Sequence, residues 1–199
     1  VPLTDPVKAT AKRAVDICGA LVGIVLFSPI MLVVATLIKL TSPGPIIFKQ
    51  ERVGLHNRPF MMYKFRSMVQ QTEADEKKGW TVPGDPRVTR VGRFIRKTSI
   101  DEFPQFFNVL AGQMSLIGPR PERTQFVEMF KEEIPRYMIK HQVRPGMTGW
   151  AQVNGLRGDT SIYERVKYDI WYIENWTMSL DVKILFLTIF KGFVNKNAY

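Results

Sequence analysis

The most constraining feature of this chain is an apolar run from Ile17 to Ile38, which holds 22 residues and no charged side chain. As a straight helix this run would be about 33 Å long, and the hydrocarbon core of a bilayer is about 30 Å thick. A proline near its middle and the lack of a small-residue cleavage site after it distinguish the run from a signal peptide. The sequence therefore predicts a membrane helix, with a buried core helix of a soluble protein as the alternative.

Pro29 interrupts this run, because its ring crowds the preceding turn and its nitrogen has no hydrogen to donate. We expect the helix to kink or break at Ser28 and Pro29, with the Ser28 hydroxyl satisfying a freed carbonyl. Lysine and arginine stand at both ends of the run, so the positive-inside rule does not orient a simple span. A re-entrant helix over residues 8–40, which enters and leaves by the same membrane face, fits both ends. A kinked span stays open.

The composition is that of one packed domain with anionic partners. Of 199 residues, 45% are hydrophobic and 12% aromatic, which fits a single domain over residues 1–199. A formal charge of +10 favours acidic lipids, phosphorylated substrates or nucleic acid, and the sequence holds no recognised nucleic-acid-binding motif. Cys18 is the one cysteine in the sequence, so a disulfide framework is excluded and a reducing, cytosol-facing environment is expected.

The remaining patterns predict an α+β fold that is mostly helical. Two apolar stretches at 46–48 and 60–65, separated by turn residues, predict a small β-hairpin, and residues 70–86 read as loop. Helical patterns run over 99–110, 122–140 and about 161–174. The C-terminal stretch from Ser179, a candidate N-cap, suits an amphipathic helix at a membrane interface, with a core helix as the alternative.

Two adjacent carboxylates, Asp101 and Glu102, are the first candidates for chemistry. Ser99 and Glu102 have the spacing of a helix capping box, which is a purely structural explanation of the pair. Pro104 complicates that explanation, because with Ser99 as N-cap it would delete a wanted hydrogen bond at the fifth helical position. An exposed acid at a helix entrance among arginines is kept ionised, and can act as nucleophile or metal ligand.

Several cations accompany the pair. Arg120 lies between Pro119 and Pro121, which fix the backbone and so preset the direction of one guanidinium for a phosphate. Arg96 ends a row of arginines spaced by three, which is either a solvated basic face or an anion site. The other candidate cations are Lys64 and Arg66, which share a face of a predicted strand, and Arg144, in a turn. No Walker loop, serine-hydrolase elbow or zinc spacing occurs in the sequence, so phosphoryl transfer fits best.

The order of these motifs resembles a known family. The chain resembles the bacterial monotopic phosphoglycosyl transferases, or polyprenyl-phosphate sugar-phosphate transferases. The segments that carry this resemblance are FSPI after a basic start, YKFRSM, TSIDEFPQFFNVLAGQMSLIGPRPE, HQVRPGMTGWAQVNG and YDIWYIENWTMSLDVKILFLTIFKGF. The resemblance covers nearly the whole chain. It is strongest to the undecaprenyl-phosphate glucose phosphotransferase branch, whose larger members carry extra N-terminal membrane helices, so the chain looks like their catalytic portion.

The resemblance implies a magnesium-dependent reaction of a UDP-sugar with undecaprenyl phosphate at the cytoplasmic face of the bacterial inner membrane. It implies that Asp101 is the nucleophile, that Glu102 holds Mg²⁺ with help from Asp101, and that Ser28 and Pro29 form a helix break dipping into the membrane. Substrate-binding roles are implied for Arg120, Lys64, Arg66, Arg96, Gln152 and Asn154. Membrane lipids and a possible homodimer are further expected partners, and nucleic acid is not. A non-catalytic, basic, membrane-bound adaptor is the alternative function.

Overall fold

The structure, a computed structural model, describes residues 1–70, 72, 84–158 and 160–192. Most of the predicted loop at 70–86 therefore lies outside the described residues. The helices are α1 (Pro6–Thr41), α2 (Arg90–Lys97), α3 (Gln105–Leu110), α4 (Thr124–Glu133), α5 (Trp150–Val153), α6 (Ile162–Glu174) and α7 (Met178–Gly192). The strands are β1 (Ile47–Val53), β2 (Pro59–Phe65), β3 (Ser115–Ile117) and β4 (Gly146–Thr148). Short 3-10 turns cover Pro2–Thr4, Leu55–Asn57, Ile100–Glu102 and Tyr137–Gln142. The predicted mostly helical α+β class is confirmed.

The strands form two small sheets. β1 and β2 pair antiparallel, with Ile47 opposite Phe65 and Val53 opposite Pro59, so the predicted hairpin is confirmed. Phe60 and Met62 of β2 point into a core, in the alternation expected of a half-buried strand. β3 and β4 pair parallel, with Ser115 opposite Gly146. This second sheet brings the segment after β3, which carries Arg120, beside the segment after β4.

Helix α1 runs unbroken through Pro29, so a break at Ser28 and Pro29 is not present, and the kink expected there as the other outcome stays a prediction. Proline at position 29 cannot donate to the carbonyl of Val25, its partner one turn earlier. The Ser28 hydroxyl donates to that carbonyl at 2.9 Å, as the sequence predicted for a freed carbonyl. The carbonyl is therefore satisfied without a break in the helix. The helix is long and apolar enough to cross a membrane by length and composition, and a re-entrant path stays a prediction.

One face of α1 packs on the rest of the protein along both halves of the helix. Ala20, Val34 and Ile38 of this face are buried in two core clusters. Close approach is allowed by Gly23, where an added Cβ would lie 2.6 Å from the Phe106 ring. The opposite face is apolar and exposed, and includes Leu21, Val22, Val25, Leu26, Ile30, Leu32, Val33, Leu37 and Leu40. Both ends of α1 thus stay attached to the same body.

Buried polar contacts fix the N-terminal half of α1. Lys12 pairs with Asp181 of α7 at 2.5 Å. Asp16 accepts hydrogen bonds from the Ser115 hydroxyl and the Leu116 backbone of β3, at 2.9 and 3.0 Å. Because an unpaired charge is costly in an apolar environment, these partners hold α1 in one register against β3 and α7.

Two predicted helices are interrupted. Ser99 has a φ of 60°, and its side chain caps no helix, so the capping-box explanation is wrong. Residues 100–102 form a 3-10 turn, and α3 starts only after Pro104. The helical pattern over 122–140 is likewise divided into α4 and the later 3-10 turn, with Pro135 between them. The helix predicted from about Ser161 is confirmed as α6.

The C-terminal helix α7 begins one residue before the predicted cap, because the Thr177 hydroxyl rather than Ser179 accepts from the Leu180 backbone. Its buried face includes Asp181 and Ile184. Its other face exposes Val182, Leu185, Phe186, Ile189 and Phe190. One face of the helix therefore belongs to the core and the other is an exposed apolar surface. The first agrees with the predicted core helix, and the second agrees with the predicted helix at a membrane interface.

Candidate functional site

Glu102 lies between two cations. Its Oε1 accepts from Lys64 Nζ at 3.2 Å and from Arg120 Nη2 at 3.1 Å. Lys64 comes from β2 and Arg120 from the segment after β3, so residues far apart in sequence converge on this carboxylate. No described residue donates a hydrogen bond to the other oxygen, Oε2. The structure thus brings Glu102, Lys64 and Arg120 together.

Asp101 is next to this cluster but is not bound by it. The residue is 9% exposed. Among the residues that the structure describes, none donates a hydrogen bond or forms a salt bridge to its carboxylate. The preceding left-handed Ser99 and the following Pro104 hold the short 3-10 turn on which it stands. Its oxygens are consequently available to another group.

The two carboxylates differ in their acidity. Burial raises the pKa of Asp101 to about 6, and the negative charge of Glu102 acts in the same direction, against Lys64 and Arg96. Burial also acts to raise the pKa of Glu102, but the cations Lys64, Arg120 and Arg157 outweigh it and hold that pKa well below its usual range. At neutral pH both groups are therefore charged, and Asp101 is the more basic of the two.

The strand that carries Lys64 is held by the side chain of Asn108, which bonds to the backbone of β2. Asn108 of α3 is fully buried, accepts from the Tyr63 backbone at 3.0 Å and donates to the Met61 carbonyl at 2.8 Å. These two backbone groups lie on one edge of β2, so the Asn108 amide pairs with that edge as a neighbouring strand would. The contact joins β2 directly to the helix that follows the carboxylates.

Arg120 is placed by the flanking prolines and by β1. Arg52 donates to the Pro121 carbonyl at 3.0 Å, and the Val53 backbone donates to the Glu122 carbonyl at 3.0 Å. These bonds attach the segment after Arg120 to the end of β1. The prediction that the prolines preset the direction of Arg120 is consistent with its guanidinium pointing at Glu102.

Two further arginines contribute positive charge to the pair. Arg96, in the last turn of α2, lies close enough to Asp101 to oppose the rise in its pKa. Arg157 acts in the same way on Glu102, although no motif in the sequence marked it as a site residue. It stands in a loop between Gly155 and Gly158, where no periodicity marks the direction of a side chain. Its position after the WAQVNG motif was the only available signal.

Arg66 and Arg144 bond to backbone carbonyls and not to the carboxylate pair. Arg66 is buried and donates to the Pro45 carbonyl at 2.6 Å and to the Ser42 carbonyl at 3.1 Å. It therefore fixes the turn after α1. Arg144 Nε donates to the Gly112 carbonyl at 2.8 Å, just after the C-terminus of α3. Neither residue is brought to the carboxylate pair.

Gln152 and Asn154 have different surroundings. Gln152 of α5 is 5% exposed, and neither atom of its amide has a hydrogen-bond partner among the described residues. Its Oε1 lies near Gly149, which in turn approaches the Gly118 carbonyl before Arg120. Asn154 is exposed, and its amide donates to the Trp150 carbonyl at 2.7 Å. The structure gives Asn154 a role in ending α5, and leaves contact with a substrate as a prediction for both residues.

The carboxylates can be tested for a fit to Mg²⁺. Within the described residues no group of three or more His, Cys, Asp or Glu side chains could hold a metal. Mg²⁺ is commonly bound by one or two carboxylates together with substrate phosphates and water. The unbonded carboxylate of Asp101 and Oε2 of Glu102 supply such a pair. The residues therefore fit a magnesium ion that binds together with a phosphorylated substrate.

A carboxylate pair surrounded by lysine and arginine, beside an exposed apolar helix face, defines a site suited to phosphorylated substrates near lipid. Residues 7–195 match the family model described as bacterial sugar transferase. The chain belongs to the bacterial sugar transferase family, which agrees with the resemblance found in the sequence.

The relatives agree on the type of reaction. The chain is 49% identical to the UDP-glucose:undecaprenyl-phosphate glucose-1-phosphate transferase of Klebsiella pneumoniae, over all of this chain and 44% of that protein. It is 54% identical to the UDP-N-acetylgalactosamine-undecaprenyl-phosphate N-acetylgalactosaminephosphotransferase of Aeromonas hydrophila, over 94% of this chain and 44% of that protein. An uncharacterized sugar transferase of Bacillus subtilis is 43% identical over 93% of this chain and 88% of its own length. The chain thus spans less than half of the first two relatives.

Proposed function

We propose that this chain transfers a sugar 1-phosphate from a UDP-sugar to undecaprenyl phosphate and releases UMP. The observation that carries the proposal is the unbonded, buried Asp101 beside Glu102, which is itself held by Lys64 and Arg120. Such a site offers a nucleophile and fixed positive charge for a pyrophosphate. Relatives named for undecaprenyl-phosphate substrates support the same reaction. It would be the first membrane step of exopolysaccharide, capsule or related glycan synthesis.

The reaction would proceed in two displacements at one phosphorus atom. In the first, an Asp101 oxygen attacks the phosphorus that bears the sugar, and the bond to UMP breaks, with the electron pair leaving on UMP. In the second, a phosphate oxygen of undecaprenyl phosphate attacks the same phosphorus and releases Asp101. Arg120, Lys64, Arg96 and Arg157 would hold phosphate oxygens through both steps. Mg²⁺, held by Asp101 and Glu102, would supply charge neutralisation for the leaving group.

The membrane geometry suits one soluble and one lipid-anchored substrate. The exposed apolar face of α1 and that of α7 would lie in lipid, while the packed face of α1 keeps both of its ends on the catalytic body. That attachment supports a re-entrant or interfacial placement over a simple span. Phe27 of α1 stacks on Phe103, directly after Glu102, with ring centroids 4.5 Å apart. A bound lipid at α1 would therefore be close to the carboxylates. We place the protein at the cytoplasmic face of the inner membrane, where UDP-sugars occur.

The test of this function is UMP release by the full chain in detergent, with Mg²⁺, undecaprenyl phosphate and a panel of UDP-sugars. Glucose, galactose and N-acetylgalactosamine are the donors to compare. We expect release that requires both substrates and Mg²⁺. The adaptor alternative predicts binding to acidic vesicles without UMP release from any sugar, and that outcome in folded protein would refute the transferase. Mass determination of the purified protein would test the predicted homodimer.

We predict a pH dependence for the first displacement. Asp101 attacks as the carboxylate, and burial raises its pKa to about 6, so kcat/KM for the UDP-sugar should fall about tenfold per pH unit below that value. In a two-displacement reaction this parameter reports the first half, so the ionisation of undecaprenyl phosphate does not contribute. A profile that stays flat from about pH 7 to about pH 5 would contradict the role of Asp101.

A further inference from the structure

A cluster of buried charges lies behind the site and takes no part in the proposed chemistry. Its members are each at most 4% exposed, and they are Glu122, Lys140, Arg165 and Asp169. Lys140 lies 3.1 Å from Asp169, and Arg165 lies 3.2 Å from Glu122. Replacing buried ion pairs by apolar side chains is often neutral or stabilising, so stability alone explains such a cluster poorly. The best-attested use of buried polar groups is to hold elements in one register.

Arg165 joins the two segments that carry site cations. From α6 its Nη1 donates to Glu122 Oε1 at 3.2 Å, and its Nη2 donates to the Gly158 carbonyl at 2.8 Å and to Thr160 Oγ1 at 3.1 Å. Glu122 is two residues after Arg120, with the rigid Pro121 between them. Gly158 directly follows Arg157. One guanidinium therefore holds both segments.

Two kinds of contact hold the loop that carries Arg157. Its first half is bonded to α5, where the Gly155 and Leu156 backbones donate to the Gln152 and Ala151 carbonyls. Its second half accepts from Arg165 at the Gly158 carbonyl, and Gly155 and Gly158 have left-handed φ angles of 86° and 64°. The Arg120 segment is held independently at β1 by Arg52. Arg165 therefore bonds the second half of the Arg157 loop directly to the segment that follows Arg120.

We infer that Arg165 is a positioning residue for the donor pyrophosphate, acting through Arg120 and Arg157. This inference rests on the proposed transferase function and names which cations must act together. A planar fork can bond two segments at once, whereas a lysine ammonium lacks that fixed geometry. Positioning errors of about 1 Å can cost about a hundredfold in rate. Loss of the fork should therefore weaken donor binding even where the protein stays folded.

The experiment compares Arg165→Lys with Asp169→Asn in the full chain. Asp169 lies in the same buried cluster, one helical turn further along α6. It pairs with Lys140, which also lies 3.9 Å from Glu122, and no described contact joins Asp169 to the Arg157 loop. We expect Arg165→Lys to raise KM for the UDP-sugar, and the Kd for UDP with Mg²⁺, by about tenfold. We expect Asp169→Asn to lower Tm while KM and Kd stay within about twofold of wild type.

Equal effects of the two variants on KM, or a wild-type KM in folded Arg165→Lys, would overturn the inference and leave the transferase proposal intact. If wild-type protein released no UMP, the transferase proposal would fail, and the UDP titration would still decide the role of Arg165. Should Arg165→Lys not fold, Thr160→Val removes one contact between Arg165 and the loop. That variant should raise the Kd for UDP about threefold, and an unchanged Kd would overturn the inference.

Discussion

Asp101→Asn is expected to abolish UMP release, with a loss of at least about a thousandfold, because an amide cannot replace the carboxylate that we propose as the nucleophile. The substitution keeps the shape of the side chain. It also breaks no hydrogen bond or salt bridge with the described residues, so we expect the fold to be unchanged. Intact mass after incubation with the UDP-sugar alone should show a phosphosugar adduct on wild-type protein and none on the variant.

The same substitution should leave the protein as stable or make it more stable. Because burial raises the pKa of Asp101 to about 6 in the folded state, ionisation of this group opposes folding as the pH rises through that value. A neutral amide at this position would remove this cost, so Tm of the variant should equal or exceed that of wild type at about pH 8, and any gain should vanish at about pH 3.

The matched control is Glu174→Gln, which removes a carboxylate from a half-exposed pair with Arg136 on the surface. It should keep wild-type turnover. Wild-type UMP release by Asp101→Asn would show that another group is the nucleophile, whereas a joint loss of activity and Tm would indicate that Asp101 has a structural role.

The carboxylate pair and Arg120 could be located from sequence because local chemistry marks them. A proline two residues after the acids is unfavourable inside a helix, and prolines on both sides of an arginine restrict its backbone whatever the fold. The hairpin was likewise marked by turn residues between two apolar stretches. These features depend on neighbours in the chain, and a sequence displays such neighbours directly.

The errors concern contacts between distant segments. Lys64 and Arg66 are two residues apart and were predicted to share one face of a strand. Lys64 contacts Glu102, whereas Arg66 lies beyond the end of β2 and donates hydrogen bonds to backbone carbonyls. The alternation of side chains along a strand predicts the face on which a residue lies, but not the residue that it contacts. Pro29 does not end α1, and the predicted hydrogen bond from the Ser28 hydroxyl to the freed carbonyl is present within the continuous helix. The buried cluster around Arg165 joins residues more than forty positions apart, and no local pattern announces such a cluster.

Glu102→Gln is expected to lower kcat/KM by about a hundredfold, because it removes charge from the group that neutralises Lys64 and Arg120 and that we propose as a metal ligand. The glutamine carbonyl can still accept hydrogen bonds from both cations, so the geometry is largely kept and the charge is lost. The Mg²⁺ concentration for half-maximal rate should rise about tenfold. A titration of UMP release against Mg²⁺ measures that shift.

Glu102→Gln should also shift the pH profile of kcat/KM to lower pH, which a general loss of folded structure would not do. The negative charge of Glu102 helps to raise the pKa of Asp101, so its removal should lower that pKa and carry the fall in kcat/KM to a lower pH. Glu128→Gln, which removes a carboxylate from an exposed pair with Lys131, should change neither the Mg²⁺ requirement nor the profile. If Glu102→Gln kept the wild-type Mg²⁺ requirement, metal binding would have to be assigned to Asp101 and the substrate alone. Glu102 would then serve only to hold the two cations in place.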